Sequence, residues 1–177
     1  MTSRKLLIAT FIGALLVIFG VHLLDFPGSV PDFQRASSGG ILLDAIPSFS
    51  EEETYRRVAD YGEEGRKNYT FRNLTVDVLL PLAVFPFLLL FMLHALERYR
   101  LGRATRALLL ALPVVYLIFD FAENGLVLAL LANFPDRLHI ACGILPYVTV
   151  VKRAASILAL LVPAAIFVAS FIRRAMR

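Results

Sequence analysis

Three polar side chains lie at helical spacing within a long apolar stretch of this 177-residue sequence. Asp120 is followed by Glu123 and Asn124, three and four positions later, so all three share one face of a helix. A charged group at the centre of a bilayer costs at least ~2.5–3.5 kcal/mol. We therefore expect both carboxyl groups to face the protein interior, with at least one protonated or both compensated by a cation.

Candidate cations stand in the last apolar stretch, at Lys152 and Arg153. Neighbouring residues differ by about 100° around a helix, so only one of these two side chains can point fully inward. The helical rise brings Lys152 to within roughly 7 Å of the level of Glu123. We predict one polar cluster, made of Asp77, Asp120, Glu123, Asn124 and either Lys152 or Arg153. It is either an ion-pair network that fixes helix register or a site for a ligand, an ion or protons.

The segments that carry these residues are unusually apolar. Hydrophobic residues make up 58% of the chain and charged residues 18%, with a mean hydropathy of +0.71, whereas soluble domains average about 25% charged residues. Four segments reach the ~20 residues that a membrane crossing needs: 6–24, 76–96, 107–134 and 146–172. The sequence predicts an all-α integral membrane protein, a four-transmembrane-helix bundle. Since no cleavage pattern follows the first segment, we expect it to remain as an uncleaved helix.

The distribution of Lys and Arg predicts the orientation. Nine basic residues cluster on one side of the predicted membrane with one acid, Glu97; they are Arg4, Lys5, Arg98, Arg100, Arg103, Arg106, Arg173, Arg174 and Arg177. Such a side is normally cytoplasmic, which places both termini there. Because these residues adjoin span ends, the lipid bilayer is the expected partner and nucleic acid is not. The sequence does not distinguish a bacterial inner membrane from a eukaryotic endoplasmic reticulum or plasma membrane.

Residues 25–75 form the predicted extracytoplasmic loop. Turn-forming residues open it, and a short amphipathic helix is expected at about 51–61. Ser50 and Glu53 fit a capping box at its start, with helix-stabilising pairs Glu52–Arg56 and Glu53–Arg57. Residues 62–66 are predicted to form a charged turn. The apolar residues at 41–46 are expected either at the membrane interface or capping the bundle, and glycosylation of the acceptor patterns at Asn68 and Asn73 is left open.

No familiar catalytic or metal-binding motif is present, and no cofactor is predicted. His22 and His94 fall near opposite membrane faces, while His139 and Cys142 alone are too few ligands for a zinc site. Small residues four apart, as at Ala155 and Ala159, allow close helix packing. They are expected to pack the four helices together, with a homodimer or larger membrane complex as the alternative.

Two resemblances rest on particular residues. The run Tyr61-Gly62-Glu63-Glu64-Gly65-Arg66, Asp77 with Pro81 and Pro86, and Asp120-x-x-Glu123-Asn124 together resemble a pattern in small four-span membrane proteins of unknown function. The four spans, the basic tail, and the acids Asp25 and Asp77 followed by Pro81 and Phe85-Pro86 resemble the EXPERA-type proteins, which include sterol isomerases and the sigma-2 receptor. This second resemblance implies an intramembrane cavity in which such acids receive sterol-like cationic ligands; the Asp120-x-x-Glu123-Asn124 motif lies outside its pattern.

Three functions follow as hypotheses. The first is a non-catalytic scaffold or accessory protein with a buried polar cluster. The second is a protein that binds or transports a lipid, a cation or protons within the membrane. The third is a lipid-modifying enzyme with a carboxyl group of the cluster as acid or base. A cluster that satisfies itself without a void favours the first hypothesis, and a cluster that lines a cavity favours the others.

Overall fold

The computed structural model describes residues 4–99 and 101–176, with only the backbone of Arg174. Within these ranges the chain is helical, without strands. Its helices are α1 (Arg4–Leu23), α2 (Val30–Ala36), α3 (Glu51–Asp60), α4 (Gly62–Leu74), α5 (Val76–Leu96), α6 (Arg103–Asn133) and α7 (His139–Ala175). Arg100 and Arg177, used above to predict the orientation, lie outside the described residues, as does the side chain of Arg174.

Four of these helices are long and apolar enough to cross a membrane: α1, α5, α6 and α7. Helix α5 contacts all three others, and the contact between α6 and α7 is the most extensive between two helices of the described residues. Helix α1 packs mainly against α5 and leaves large apolar side chains exposed, such as Leu16 and Phe19. Helix α5 has the predicted bounds, whereas α7 begins at His139, earlier than the predicted residue 146.

The short helices α2, α3 and α4 cap one end of the long helices, which we call the loop-side end. Phe33, Tyr55 and Tyr69 are buried in one core with residues of α6 and α7, including Val127 and Leu145. Leu42 and Leu43 join this core. Of the two expectations for residues 41–46, capping of the bundle is therefore the one observed for these two leucines.

The predicted charged turn at residues 62–66 is wrong, because these residues form the first turn of α4. Gly62, at the junction of α3 and α4, has a φ of +66°, a left-handed backbone conformation that glycine adopts without steric cost. Glu63 and Glu64 then suit the positive N-terminal end of the new helix. Lys67 adds an ion pair to Glu63 at 2.7 Å, one turn later.

The first part of the predicted loop also contains a helix, α2, which was not predicted because its sequence is rich in turn-forming residues. Pro31 lies in the first turn of α2, where its missing N–H costs nothing, and Ser29 caps that helix by accepting from the Asp32 N–H at 3.2 Å. The Gly28 N–H donates to the Asp32 carboxylate at 2.8 Å, and Asn68 donates to it as well. These hydrogen bonds, that from Gly28 first, lower the pKa of Asp32 and keep it ionised at neutral pH.

Helix α3 follows its prediction in part. Ser50 caps it by accepting from the Glu53 N–H, and the Glu53–Arg57 pair is present at 2.9 Å. The predicted Glu52–Arg56 pair is wrong, because Arg56 turns to Glu53, three residues away, instead. Glu51 reaches across to the start of α7, where its carboxylate lies 2.8 Å from His139 Nδ1.

Candidate functional site

A cavity of about 300 Å³ lies at the loop-side end, where α1, α4, α5, α6 and α7 meet the 41–46 segment. Its polar lining comes from three carboxylates, three cations, one amide and one imidazole: Asp44, Asp77, Asp120, Arg72, Lys152, Arg153, Asn124 and His22. Five of the six predicted cluster residues therefore line one cavity. The sixth, Glu123, lies directly behind Lys152. Whether this cluster binds anything stays a prediction.

Lys152 is the cation that α7 turns toward the acids of α6. Its Nζ contacts the Glu123 carboxylate directly and lies 3.5 Å from Asp120 Oδ1. Glu123 is fully buried and also accepts from the hydroxyl of Thr149. Lys152 is therefore closer to Glu123 than to Asp120, and Asp120 faces the cavity with the weaker contact.

A second ion pair joins α4 to α5 and was not foreseen from the sequence. Arg72 donates to Asp77 at 2.8 Å and to the carbonyl of Gly28 at 2.9 Å, and its side chain is almost completely buried. Its Nε–H has no hydrogen-bond partner among the described residues. The sequence does contain an arginine five positions before Asp77, which could have indicated an ion pair. The sequence pattern, however, predicts a loop over residues 62–75.

Asn124 and Arg153 hold the surrounding backbone. The Asn124 side chain donates to the Asp77 carbonyl at 2.9 Å and so links α6 to α5. Arg153 donates to the carbonyls of Asp44, at 2.6 Å, and Ala45. Of the two adjacent cations, Lys152 thus points toward the acids and Arg153 toward the loop, in line with the 100° offset between helix neighbours.

The 41–46 segment closes the cavity from the loop side. The Tyr69 hydroxyl donates to Asp44 at 2.8 Å and accepts from the Leu43 N–H at 3.1 Å. Tyr61 donates to the carbonyl of Ile41 at 2.6 Å. These hydrogen bonds, from the residue between α3 and α4 and from α4 itself, fix a segment that has no helix or strand of its own, and they hold Asp44 at the cavity wall.

The described acids of the cluster outnumber its bases by one. Asp77 is paired with Arg72, whereas the hydrogen bonds of Arg153 near Asp44 go to backbone carbonyls. Lys152 is then shared by two carboxylates, those of Asp120 and Glu123. Four carboxyl groups thus face three basic side chains, so one carboxyl group has no basic partner of its own and must either hold a proton or receive a cation.

Other candidate residues lie elsewhere. Asp25, one of the acids behind the EXPERA resemblance, has a half-exposed side chain that pairs with Arg35 and does not line the cavity. His22 lines the cavity, with its Nδ1 2.8 Å from the carbonyl of Ile18. Asn73 is 2% exposed, which closes that acceptor to glycosylation in the folded state. No cluster of three metal-ligating side chains occurs in residues 4–99 and 101–176.

Comparison with known proteins assigns no relatives: no protein-family model, curated protein or solved structure shows significant similarity to the chain.

Proposed function

We propose that this chain is a non-catalytic, four-span integral membrane protein that binds the cationic group of a ligand in its loop-side cavity. The lengths and apolar composition of α1, α5, α6 and α7 support membrane insertion. The basic residues at the opposite end support a cytoplasmic location for that end and for both termini. The cavity then opens on the extracytoplasmic side, at the depth of the outer leaflet.

The proposal is supported above all by the position of Asp120. Its carboxylate lines the cavity, yet the lysine nearest to it is held more closely by Glu123. A buried carboxylate without a full counter-charge is costly in a low-dielectric site. A cationic group entering the cavity removes that cost, and it also meets the further acceptors Asp77 and Asp44. A cation-binding cavity is also what the resemblance to EXPERA-type proteins implies.

Saturation-transfer NMR with ethanolamine, a small cation without an apolar chain, tests the proposal on the full chain in deuterated detergent. We expect saturation transfer to ethanolamine from the unmodified protein, and its loss in Asp120→Asn, which keeps the side-chain shape but removes the charge. Asp25→Asn is the matched control, because Asp25 is an acid outside the cavity, and it should leave the signal unchanged. Equal signals from the protein and Asp120→Asn, or none from either, would overturn the proposal.

A scaffold or accessory role is the second candidate, favoured by how the cluster ties helices together. Asn124 links α6 to α5, and Glu123 links α6 to α7 through Lys152 and Thr149. For a scaffold, Asp120→Asn loosens the fold without changing the binding of any cation. Native mass spectrometry would at the same time report a homodimer or larger complex, the state in which a scaffold is expected.

A further inference from the structure

An apolar groove lies directly beneath the polar cavity and is formed by three of the same helices. It has a volume of about 280 Å³ and runs between α1, α5 and α7. Helix α1 supplies Ala14 and Ile18, α5 supplies Val84 and Leu88, and α7 supplies Ser156 and Leu160. Because α1 packs mainly against α5, a slot is left between α1 and α7.

The groove continues the cavity in register. Leu80 and Lys152 line the cavity, and the residues four positions further along α5 and α7, Val84 and Ser156, line the groove. On α1, which runs the other way, His22 lines the cavity and Ile18 the groove. Each step of four residues is roughly 6 Å along a helix. The groove therefore begins one turn below the cavity on all three helices.

This arrangement separates two kinds of chemistry along one axis. The upper part offers charges and hydrogen-bond donors, and the lower part offers almost only aliphatic and aromatic surface, from Phe11, Leu15 and Phe87 among others. A ligand that fills both parts has a charged head and an apolar chain. Membrane lipids have this form, and the groove lies within the segments proposed to cross the bilayer.

The cavity is suited to a lipid headgroup that carries both a positive and a negative charge. Asp120 is the acceptor left for a cation. Donors for a negative group are also present. The Nε–H of Arg72 lacks a described partner, and the described hydrogen bonds of Arg153 go to carbonyls rather than to a carboxylate. Arginine N–H groups of this kind are strong phosphate donors. An ammonium on Asp120 and a phosphate near these arginines match a phosphoethanolamine head.

We propose that the ligand of the cavity is a phospholipid with a primary-ammonium head, one of whose acyl chains lies in the groove between α1 and α7. This inference depends on the proposed function, because it assigns the head to the same cation site. Lipid tails are as apolar as the groove, so the chain contributes little driving force of its own. The head sets selectivity, and the groove gives the attached chain a path out of the cavity.

Native mass spectrometry of the full chain tests the inference with phosphatidylethanolamine and phosphatidylglycerol of matched acyl chains. We expect phosphatidylethanolamine to be retained in preference, and Asp120→Asn to weaken its retention roughly tenfold, as for the loss of about 1.4 kcal/mol. Ser156→Phe should also weaken retention, because its ring fills the groove and blocks the path by which the acyl chain leaves the cavity. Leu15→Phe fills it from α1 and covers the case in which Ser156→Phe fails to fold. Leu161→Phe, on the exposed face of α7, is the matched control and should bind as the unmodified protein does.

The outcomes separate the two proposals. If both groove variants retain phosphatidylethanolamine fully while Asp120→Asn does not, the chain assignment is wrong and the cation site stands. If Asp120→Asn also retains it fully, the head assignment fails as well, and the ethanolamine measurement then decides whether the cavity binds cations at all. A preference for phosphatidylglycerol would overturn the ammonium assignment.

Discussion

At the scale of single residues, the pair of Arg72 and Asp77 is a buried ion pair between two helices. Both side chains are at most a tenth exposed, and the guanidinium also holds the Gly28 carbonyl. A buried ion pair need not stabilise a protein relative to apolar residues of the same size, but removal of one partner leaves the other charge buried and unpaired. The pair therefore fixes how α4 joins α5, and it fixes one wall of the cavity.

Arg72→Met should destabilise the protein by about 3–5 kcal/mol, because the Asp77 carboxylate then remains in a low-dielectric site without its cation. Thermal unfolding in detergent measures the loss. Arg35→Met is the matched control: Arg35 pairs with two acids, Asp25 and Asp32, but its own side chain is largely exposed and Asp32 keeps its hydrogen bonds from Gly28 and Asn68, so little change is expected. Adding Asp77→Leu to Arg72→Met should recover part of the loss, and a double variant as unstable as the sum of both single variants would contradict this account.

The sequence predicted which charges would meet inside the fold better than it predicted their pairing. Asp120, Glu123 and Lys152 were expected together because helical spacing and the cost of a charge in an apolar medium both apply to an uninterrupted helix. Arg72 was missed because its position depends on α4, and α4 begins at a glycine that the sequence pattern presents as a turn. Spacing along one helix is a local property, whereas the contact of Arg72 with Gly28 joins residues 44 positions apart.

At the scale of elements, the loop-side cap depends on a close approach between α2 and α4. Gly65 lies against Ser37, and a Cβ at position 65 would come within 2.9 Å of the Ser37 Cβ and 3.0 Å of its Cα. The Cα belongs to the backbone, so rotation of a side chain cannot relieve that contact. The second turn-like glycine of the 62–66 segment is thus a packing residue within a helix.

Gly65→Ala should destabilise the protein by about 1–3 kcal/mol, as overpacking of a tight contact does. The sign of this change in the free energy of unfolding is informative. Alanine is intrinsically the better helix former by up to about 1 kcal/mol, so a loss of stability would have to come from the tight contact. Gly125→Ala, in α6, is the control: no atom lies within 4 Å of the added Cβ, so this change should be neutral or stabilising. Equal effects of the two substitutions on the unfolding temperature would show that α2 and α4 do not approach as described.

Prediction from sequence succeeded for the long helices and failed for part of the 25–75 region. The long apolar segments gave helices close to their expected bounds, because length and hydropathy act over many residues at once. The 25–75 region gave two unforeseen helices, α2 and α4, since turn-forming residues such as Pro31 and Gly62 also start helices. The cavity itself lies between these two kinds of segment. The polar residues of its α5–α7 wall were predicted to cluster, capping by residues 41–46 was one of two expectations, and the α4 wall was not predicted.

At the scale of the whole molecule, the two ends differ in charge and in structure. The loop-side end has α2–α4 and the cavity. At the other end Arg98 lies over the ring of Phe167, 4.3 Å from its centroid, and Arg173 over Tyr99 at 5.6 Å. The link between α5 and α6 therefore lies beside the end of α7. The orientation proposed above, an even number of crossings with the basic residues retained in the cytoplasm, would account for both features.

Cysteine labelling in intact cells tests this orientation. In a Cys142→Ala background, which removes the buried native thiol, we expect Glu63→Cys on α4 to react with a membrane-impermeant maleimide added outside. Arg103→Cys, at the start of α6, should react only after the membrane is permeabilised. Both positions are exposed in the fold, so their difference reports the membrane and not burial. Labelling of both from outside would mean that α5 does not cross, and a reversed pattern would place the cavity on the cytoplasmic side, where its lipid would have to come from the inner leaflet.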